Sequence, residues 1–396
     1  MSQAATAQIE TGSVLDGLAA QPADPLLALI GLFRDDPRPG KIDMGVGVYR
    51  DAGGRTPVMA AVKAAEAFLL KDQQTKSYLG PEGDARFAEL LTPIIFGEID
   101  RARLCGVQTP GGTGALRLGA ELLARGRAGA RVLVGTPTWP NHVPLMEAAG
   151  LQIVPFRHFD VATQALCFED TLAAIRGAAP GDVILLHGCC HNPTGADYAP
   201  DQWQTLAALI AERGLLPFVD LAYQGLGNGL DADAAGLRAV VAQSAQVLVA
   251  YSCDKNFGLY RERVGALFAV SDRAPMIQSN LLALARANWS MPPDHGAAVV
   301  RTILDSADLT ASWRAELEAM RLRIRSVREG VAACDPALAG LTQQTGMFSM
   351  LPLSPEQIRT LREVHAVYMA GSGRINVAGL TPDAIPAFAA AVAAVR

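Results

Sequence analysis

Ser252-Cys253-Asp254-Lys255-Asn256-Phe257-Gly258-Leu259-Tyr260-Arg261-Glu262-Arg263-Val264-Gly265 is the stretch on which the reading of this chain turns. It follows Val247-Leu248-Val249-Ala250, an apolar run with the length and branching of a buried strand. A lysine at the end of a buried strand is a poor structural residue, because burying an ammonium is costly unless it is neutralised or paired. The same property makes it a good Schiff-base residue. Ser252 lies three residues before Lys255 and Arg263 eight after it, and a hydroxyl and a planar guanidinium fork can together grip a phosphate. A lysine for an aldehyde beside a cup for a phosphate points to pyridoxal 5'-phosphate (PLP).

Two further apolar runs end in polar groups. Val183-Ile184-Leu185-Leu186 leads into His187-Gly188-Cys189-Cys190-His191-Asn192-Pro193-Thr194-Gly195, and Leu216-Pro217-Phe218-Val219 into Asp220-Leu221-Ala222-Tyr223-Gln224-Gly225. With Val132–Val134, Val247–Ala250 and Ala266–Val270 they alternate with helical stretches. One of these is the amphipathic segment Gln202–Arg213, with Trp203, Leu206, Leu209 and Ile210 on one face. That alternation predicts an α/β fold with a mostly parallel central sheet. Ligands of such sheets bind beyond the carboxyl ends of the strands, so Asn192, Asp220, Tyr223, Ser252 and Lys255 should converge. After Pro293 the pattern turns helical. Trp313 to about Ala333 reads as a long helix with many arginines on its exposed face, and Gly346–Val377 as two strand-like pieces around a helix at Pro355–His365.

From about Asp43 to Gly379 these segments resemble the class I aminotransferases, the aspartate and aromatic amino acid aminotransferase group. The resemblance implies a fold type I PLP-dependent transferase: a large PLP-binding domain over residues 46–314 and a smaller α+β domain built from residues 1–45 together with 315–396. It also implies a homodimer with shared active sites. Lys255 takes the place of the residue that holds the cofactor and moves the proton. Asp220 takes that of the carboxylate that keeps the pyridine nitrogen protonated and the ring an electron sink. Alone, Asp220 would serve as well as a helix cap, but Tyr223 three residues on favours the cofactor. Tyr223 and Asn192 match the pair that hydrogen-bonds the phenolic oxygen. His142 and His187 match histidines that support the aspartate, and read equally well as satisfied core histidines.

Thr109-Pro110-Gly111-Gly112-Thr113-Gly114-Ala115-Leu116 opens a helix, and glycines there leave backbone N–H groups free for phosphate. Arg117 stands where the last glycine of a dinucleotide fingerprint would be, which disfavours a nicotinamide oxidoreductase. In the resemblance Gly112 and Thr113 bind the phosphate with Ser252 and Arg263, and Tyr78 reaches it from the partner subunit. Trp139, in Thr136-Pro137-Thr138-Trp139-Pro140-Asn141-His142, stacks on the pyridine ring. Arg374 binds the substrate α-carboxylate, Arg286 of the partner its distal carboxylate, and Gly47 lies in the loop that closes over substrate. Asp254 departs from the family, which has a small residue before the lysine.

The implied activity is a ping-pong transfer of an amino group between an aromatic amino acid or aspartate and 2-oxoglutarate. Thr56 and Thr113 look aspartate-like, while Met291 suits an aromatic ring. The alternatives are an aspartate aminotransferase with little aromatic activity, or a PLP-dependent lyase or decarboxylase on the same fold. Composition agrees with a compact enzyme: 396 residues, 50% hydrophobic, 18% charged and a net charge of −5, with no basic footprint for nucleic acid. No apolar run reaches the ~18–20 residues of a membrane span. Met1–Thr6 reads as a frayed tail rather than a signal peptide. The six scattered cysteines, with Cys189-Cys190 read as part of a strand, fit reduced thiols in a cytoplasmic protein, and no metal site is expected.

Overall fold

Seven strands with apolar side chains on both faces form the centre of the computed structural model, which describes residues 14–20 and 25–396. They are β1 (Leu104–Pro110), β2 (Arg131–Thr136), β3 (Gln152–Arg157), β4 (Val183–His187), β5 (Leu216–Leu221), β6 (Val247–Ser252) and β7 (Val264–Val270). Their spatial order is β1-β7-β6-β5-β4-β2-β3. β7 runs antiparallel to both neighbours and the other pairs are parallel. The tail expected at Met1–Thr6, and part of the 1–45 segment expected in the small domain, lie outside the described residues.

Alternation along β6 shows why its sequence reads as continuously apolar. Val247, Val249 and Tyr251 enter one core while Leu248 and Ala250 enter the other, so each face is covered by helices. On one side lies α1 (Gly111–Gly126), and on the other α2 (Pro200–Glu212) among others. Gly265 fixes how closely α1 approaches the sheet. A Cβ there would lie 2.5 Å from the carbonyl carbon of Gly111, so only glycine lets the start of α1 sit beside β7. The expected strands and the helix at 202–213 fall within two residues of the observed elements at each end. β1 and β3 were not anticipated. β3 is an edge strand with Pro155 and two exposed polar ends, and so lacks the apolar run of a central strand. Also unanticipated is α3 (Ala274–Asn288), which precedes Pro293.

A third core gathers the two ends of the chain. Ile42 and Met44 pack with Leu351, Ile358, Leu361, Val367, Ile375 and Phe388. Short strands Phe348–Met350 and Arg374–Asn376 pair antiparallel beside it. The long helix α4 (Ala307–Cys334) serves two cores, Trp313, Leu317, Met320 and Ile324 facing the large one and Val327 and Val331 the third. Arg314 and Arg325 are exposed, as expected for its outer face, while Arg328 is not. Arg328 is 2% exposed and spends its N–H groups on the carbonyls of Leu341, Thr345, Gly346 and Phe348 and the Ser349 hydroxyl. Cys189 and Cys190 lie beyond the end of β4 rather than in it, because Cys190 takes a left-handed φ of 51° that no strand accommodates. All six cysteines are free. Among the described residues no helix is long and apolar enough to cross a membrane.

Candidate active site

The carboxyl ends of β4, β5 and β6 lie side by side, with His187 opposite Asp220 and Asp220 opposite Ala250 in register. The register carries Asn192, Asp220, Tyr223 and Lys255 into one cleft. Lys255 Nζ stands 5.3 Å from the centre of the Tyr223 ring, and Asn192 Nδ2 donates to Tyr223 Oη at 3.3 Å. Burial holds the Lys255 amine below its ordinary pKa, against the raising pull of Asp254 and Asp220. It thereby favours the neutral, nucleophilic form. Burial, with the Asp220 charge second, pushes the Tyr223 phenol up. Asn192 Oδ1 is buried without a hydrogen-bond partner, as a site built for a polar ligand would leave it.

Asp220 is held from behind. Its Oδ2 lies 3.1 Å from His142 Nε2, while Thr138 Oγ1 bridges His142 Nδ1 at 2.8 Å and His187 Nε2 at 3.0 Å. One proton arrangement satisfies all three contacts: His187 Nε2–H donates to Thr138, whose hydroxyl donates to His142 Nδ1, leaving His142 Nε2–H for the carboxylate. The row continues, with His187 and His191 ring centres 3.9 Å apart and His191 stacked on His158 at 4.0 Å. Burial drives His187 and His191 well below the usual histidine range and His158 down to about 4. These three rings therefore stay neutral, and none competes with a cationic group at Asp220.

The start of α1 meets the end of β6 at the residues expected to hold a phosphate. A Cβ on Gly112 would lie 3.0 Å from Ser252 Cβ, so the glycine brings the first turn of α1 onto the end of β6. Arg263 faces the same place, and its Nη1 bonds Asp254 Oδ2 at 2.5 Å. Trp139 is half-buried and meets His142 edge-on, ring centres 5.3 Å apart.

On the substrate side Arg374 is 9% exposed. Its Nη2 donates to the Gly45 carbonyl at 2.9 Å, its guanidinium lies 4.7 Å from the Phe348 ring centre, and its Nε has no partner. Gly47 touches the other part of that ring, where a Cβ would lie 2.9 Å from Phe348 Cζ, and Tyr223 meets it edge-on at 5.9 Å. Phe348 thus joins the 45–49 loop, Arg374 and the Tyr223 phenol. Sequence reasoning passed over it because one phenylalanine in an apolar run reads as core. Thr138, His191 and His158 were also missed, and only the proximity of Thr138 to His142 gave any signal.

Two expected residues are not brought to this group within one chain. Tyr78 is 93% exposed and Arg286 is exposed, its Nη1 bonded to Ser290 Oγ on its own helix end. Their loops are joined, since the Leu79 N–H meets Met291 Sδ at 3.0 Å. The one cysteine-rich cluster among the described residues, Cys189, Cys190 and Asp233, is committed elsewhere. The Asp233 carboxylate accepts the N–H groups of Gly225, Gly227 and Asn228, and the buried thiols are raised, against the thiolate a metal requires.

The residues present fit PLP: an amine held neutral, a carboxylate backed by an oriented histidine, a phenol–amide pair with an orphaned oxygen, and a glycine-opened helix facing an arginine. The family model for "Aminotransferase class I and II" matches residues 39–392. The chain is 55% identical over 375 residues to the tyrosine aminotransferase of Rhizobium meliloti, covering 93% of this chain and 96% of that one. It is 45% identical over 395 residues to the aspartate aminotransferase of Escherichia coli, covering 96% and 100%. Among solved structures, the aromatic-amino-acid aminotransferase of Burkholderia pseudomallei, covalently bound to pyridoxal phosphate, superposes with a TM-score of 0.94 at 38% identity, covering 97% of this chain and all of that one.

Proposed function

Because this chain belongs to the class I and II aminotransferase family, with PLP as its cofactor, we propose that it moves amino groups between aspartate or an aromatic amino acid and 2-oxoglutarate. The observation that carries this is the meeting of Lys255, the Asp220–His142 pair and the Tyr223–Asn192 pair in one cleft beside a buried arginine. Bound PLP supplies an aldehyde that takes the amino group and a cationic ring that accepts the electrons of the α-carbon. Lys255 Nζ would hold that aldehyde and, when free, would move the proton at Cα. Asp220 Oδ2, oriented by His142, holds the proton on the ring nitrogen. Tyr223 Oη and Asn192 bond the phenolic oxygen, and Trp139 covers the ring. Gly112, Thr113, Ser252 and Arg263 bind the phosphate. Arg374 pairs with the α-carboxylate, whose entry completes the bonding of its orphaned Nε. Gly47 and Asn192 close the substrate pocket.

Tyr78 and Arg286 act in the partner's site, reaching the phosphate and the distal carboxylate. Their exposure supports a homodimer, since Phe68, Leu70 and Leu79 in the same segment are also large, apolar and exposed. Dual specificity is favoured by relatives named for tyrosine and for aspartate at comparable coverage, and by Met291, flexible and apolar beside the Tyr78 loop. The core shared by the chain ends is read as the small domain, residues 1–45 and 315–396, joined to the large domain 46–314 through α4. Free thiols throughout fit a cytoplasmic setting.

A single-turnover experiment tests this. PLP-loaded protein mixed with aspartate or phenylalanine, without acceptor, should release one oxo acid per site and stop, and 2-oxoglutarate should restart it. Continuous turnover without acceptor, or release of carbon dioxide, would overturn the assignment in favour of a lyase or decarboxylase.

A further inference from the structure

Strand Arg374–Asn376 holds the loop that carries Gly47 by its carbonyls. The Asn376 N–H donates to Met44 O at 2.7 Å and Arg374 Nη2 to Gly45 O at 2.9 Å, while Asn376 Nδ2 donates to both Val46 O at 2.6 Å and Val48 O at 2.7 Å. The other side of the loop is met by Tyr260, from the turn that follows Lys255, whose Oη accepts the Tyr49 N–H at 3.0 Å. One peptide, Val48–Tyr49, is therefore bonded at both ends by side chains. It is trans, so its C=O and N–H point in opposite directions, and Asn376 and Tyr260 stand on opposite sides of the chain.

These two side chains belong to different parts of the molecule. Asn376 is 1% exposed, and its strand pairs with Phe348–Met350 beside the core shared by the chain ends. Tyr260 lies five residues beyond Lys255, and the Tyr49 ring packs into the large core. Within the loop, Asp43 Oδ1 accepts the N–H groups of Gly45 at 2.9 Å and Val46 at 3.3 Å, and Val46 O also accepts the Val48 N–H at 2.9 Å. In the 45–49 loop the Gly47 N–H alone has no partner among the described residues. It shares a planar peptide with the Val46 carbonyl, so the grip of Asn376 on that carbonyl turns the free N–H away from the strand.

We propose that Tyr260 and Asn376 are positioning residues for substrate. They clamp the 45–49 loop between the turn of the cofactor lysine and the strand of Arg374, so that substrate meets a loop already shaped, with its one free N–H fixed in direction. This rests on the reading of Gly47 as part of the substrate pocket. Both residues act through the loop and not on the reacting atoms. A loop left to sample other conformations must be ordered as substrate binds, and that ordering weakens binding. Loss of the clamp therefore raises KM more than it lowers kcat, for amino acid and 2-oxo acid alike, because both are held under the same loop.

Tyr260→Phe isolates the clamp. It deletes one oxygen, whose bond to the Tyr49 N–H is the only one it makes among the described residues, and it leaves the ring in place. In PLP-loaded protein, hydrogen exchange of the Tyr49 amide should quicken roughly three- to tenfold, the worth of one hydrogen bond, while the Asn376 amide keeps its wild-type rate. KM for aspartate and for 2-oxoglutarate should rise by a similar factor, with a smaller change in kcat. Unchanged Tyr49 exchange, or a fall in kcat at unchanged KM, overturns the proposal. So does cofactor that borohydride no longer fixes to Lys255, which would put the role of Tyr260 at the cofactor. Asn376→Ser gives up both carbonyl bonds, so removing the Tyr260 hydroxyl as well should cost less in KM than it does in wild type, and strictly additive losses would refute a shared clamp. Where Asn376→Ser does not fold, exchange and kinetics of Tyr260→Phe decide alone. Exchange requires no turnover, which separates the two levels of failure. Aminotransfer with unchanged exchange sinks only the clamp, whereas faster Tyr49 exchange in a protein that transfers no amino group upholds the clamp and sinks the proposed function.

Discussion

Gly47→Ala is a small change whose consequence can be worked from distances. The backbone at Gly47 is not in the left-handed region, so the effect is steric. The new Cβ would lie 2.9 Å from Phe348 Cζ and 3.5 Å from Cε1. Carbon atoms settle at about 3.5–4.0 Å, so the ring must give way by roughly 0.5 Å or more. It is 3% exposed, and overpacking of this kind costs about 1–3 kcal/mol. Phe348 carries the Arg374 guanidinium at 4.7 Å and abuts Tyr223 at 5.9 Å, so the shift passes to the arginine proposed to bind the substrate carboxylate. About 1.4–2.7 kcal/mol in transition-state binding is roughly a ten- to hundredfold loss in kcat/KM. Borohydride should still fix the cofactor to Lys255, so the loss lies in substrate binding and turnover rather than in cofactor attachment. The assay is steady-state kinetics beside borohydride labelling, with Phe348→Leu and the double variant completing a cycle. Leucine leaves room for the new methyl, so the double variant should regain part of the loss. Wild-type kcat/KM in a folded Gly47→Ala protein, or strictly additive losses in the cycle, would refute the coupling.

Arg286→Leu should lower kcat/KM for aspartate roughly ten- to hundredfold more than for phenylalanine, the worth of about 1.5–3 kcal/mol in one charge-assisted pair, and equal losses would remove Arg286 from the distal-carboxylate role. Mixing Arg286→Ala subunits, impaired toward aspartate, with inactive Lys255→Ala subunits should raise aspartate activity above that of Arg286→Ala alone by leaving one intact hybrid site, and no rise after verified subunit exchange would count against shared sites. His158, pushed down to about 4 from an ordinary 6.5, binds a proton more readily in the unfolded chain, so its contribution is fully present above pH 6.5 and is lost as the pH falls toward 4. The loss is on the order of 3 kcal/mol, and urea midpoints of wild type should fall more steeply than those of His158→Gln between pH 6.5 and 4.5; parallel curves would show that the histidine row is not titrating on unfolding.

Central strands were legible because β6 and β5 are buried on both faces and carry unbroken apolar runs, and the polar residues that end them then fall together once the sheet is parallel. Edge strand β3, half exposed and interrupted by Pro155, carries no such run. The chemistry-bearing residues were legible by type and spacing: Lys255 after a strand, and Asp220 followed by Tyr223. What sequence could not supply was the partner of each group. Asp254 read as an anomaly beside the lysine until Arg263 was found on it, because the turn that joins them is a property of the loop. Phe348 and the His191–His158 stack depend on contacts between segments far apart in the chain, which periodicity does not encode.

Chemical identification of the lysine that holds the cofactor is the most direct test of the account. Wild-type protein loaded with PLP, reduced with borohydride and digested, should yield one phosphopyridoxyl-labelled peptide, modified at Lys255, and Lys255→Ala should bind PLP without forming the reducible chromophore. Label on a different lysine, or an undiminished chromophore in Lys255→Ala, would contradict the site built here on the end of β6.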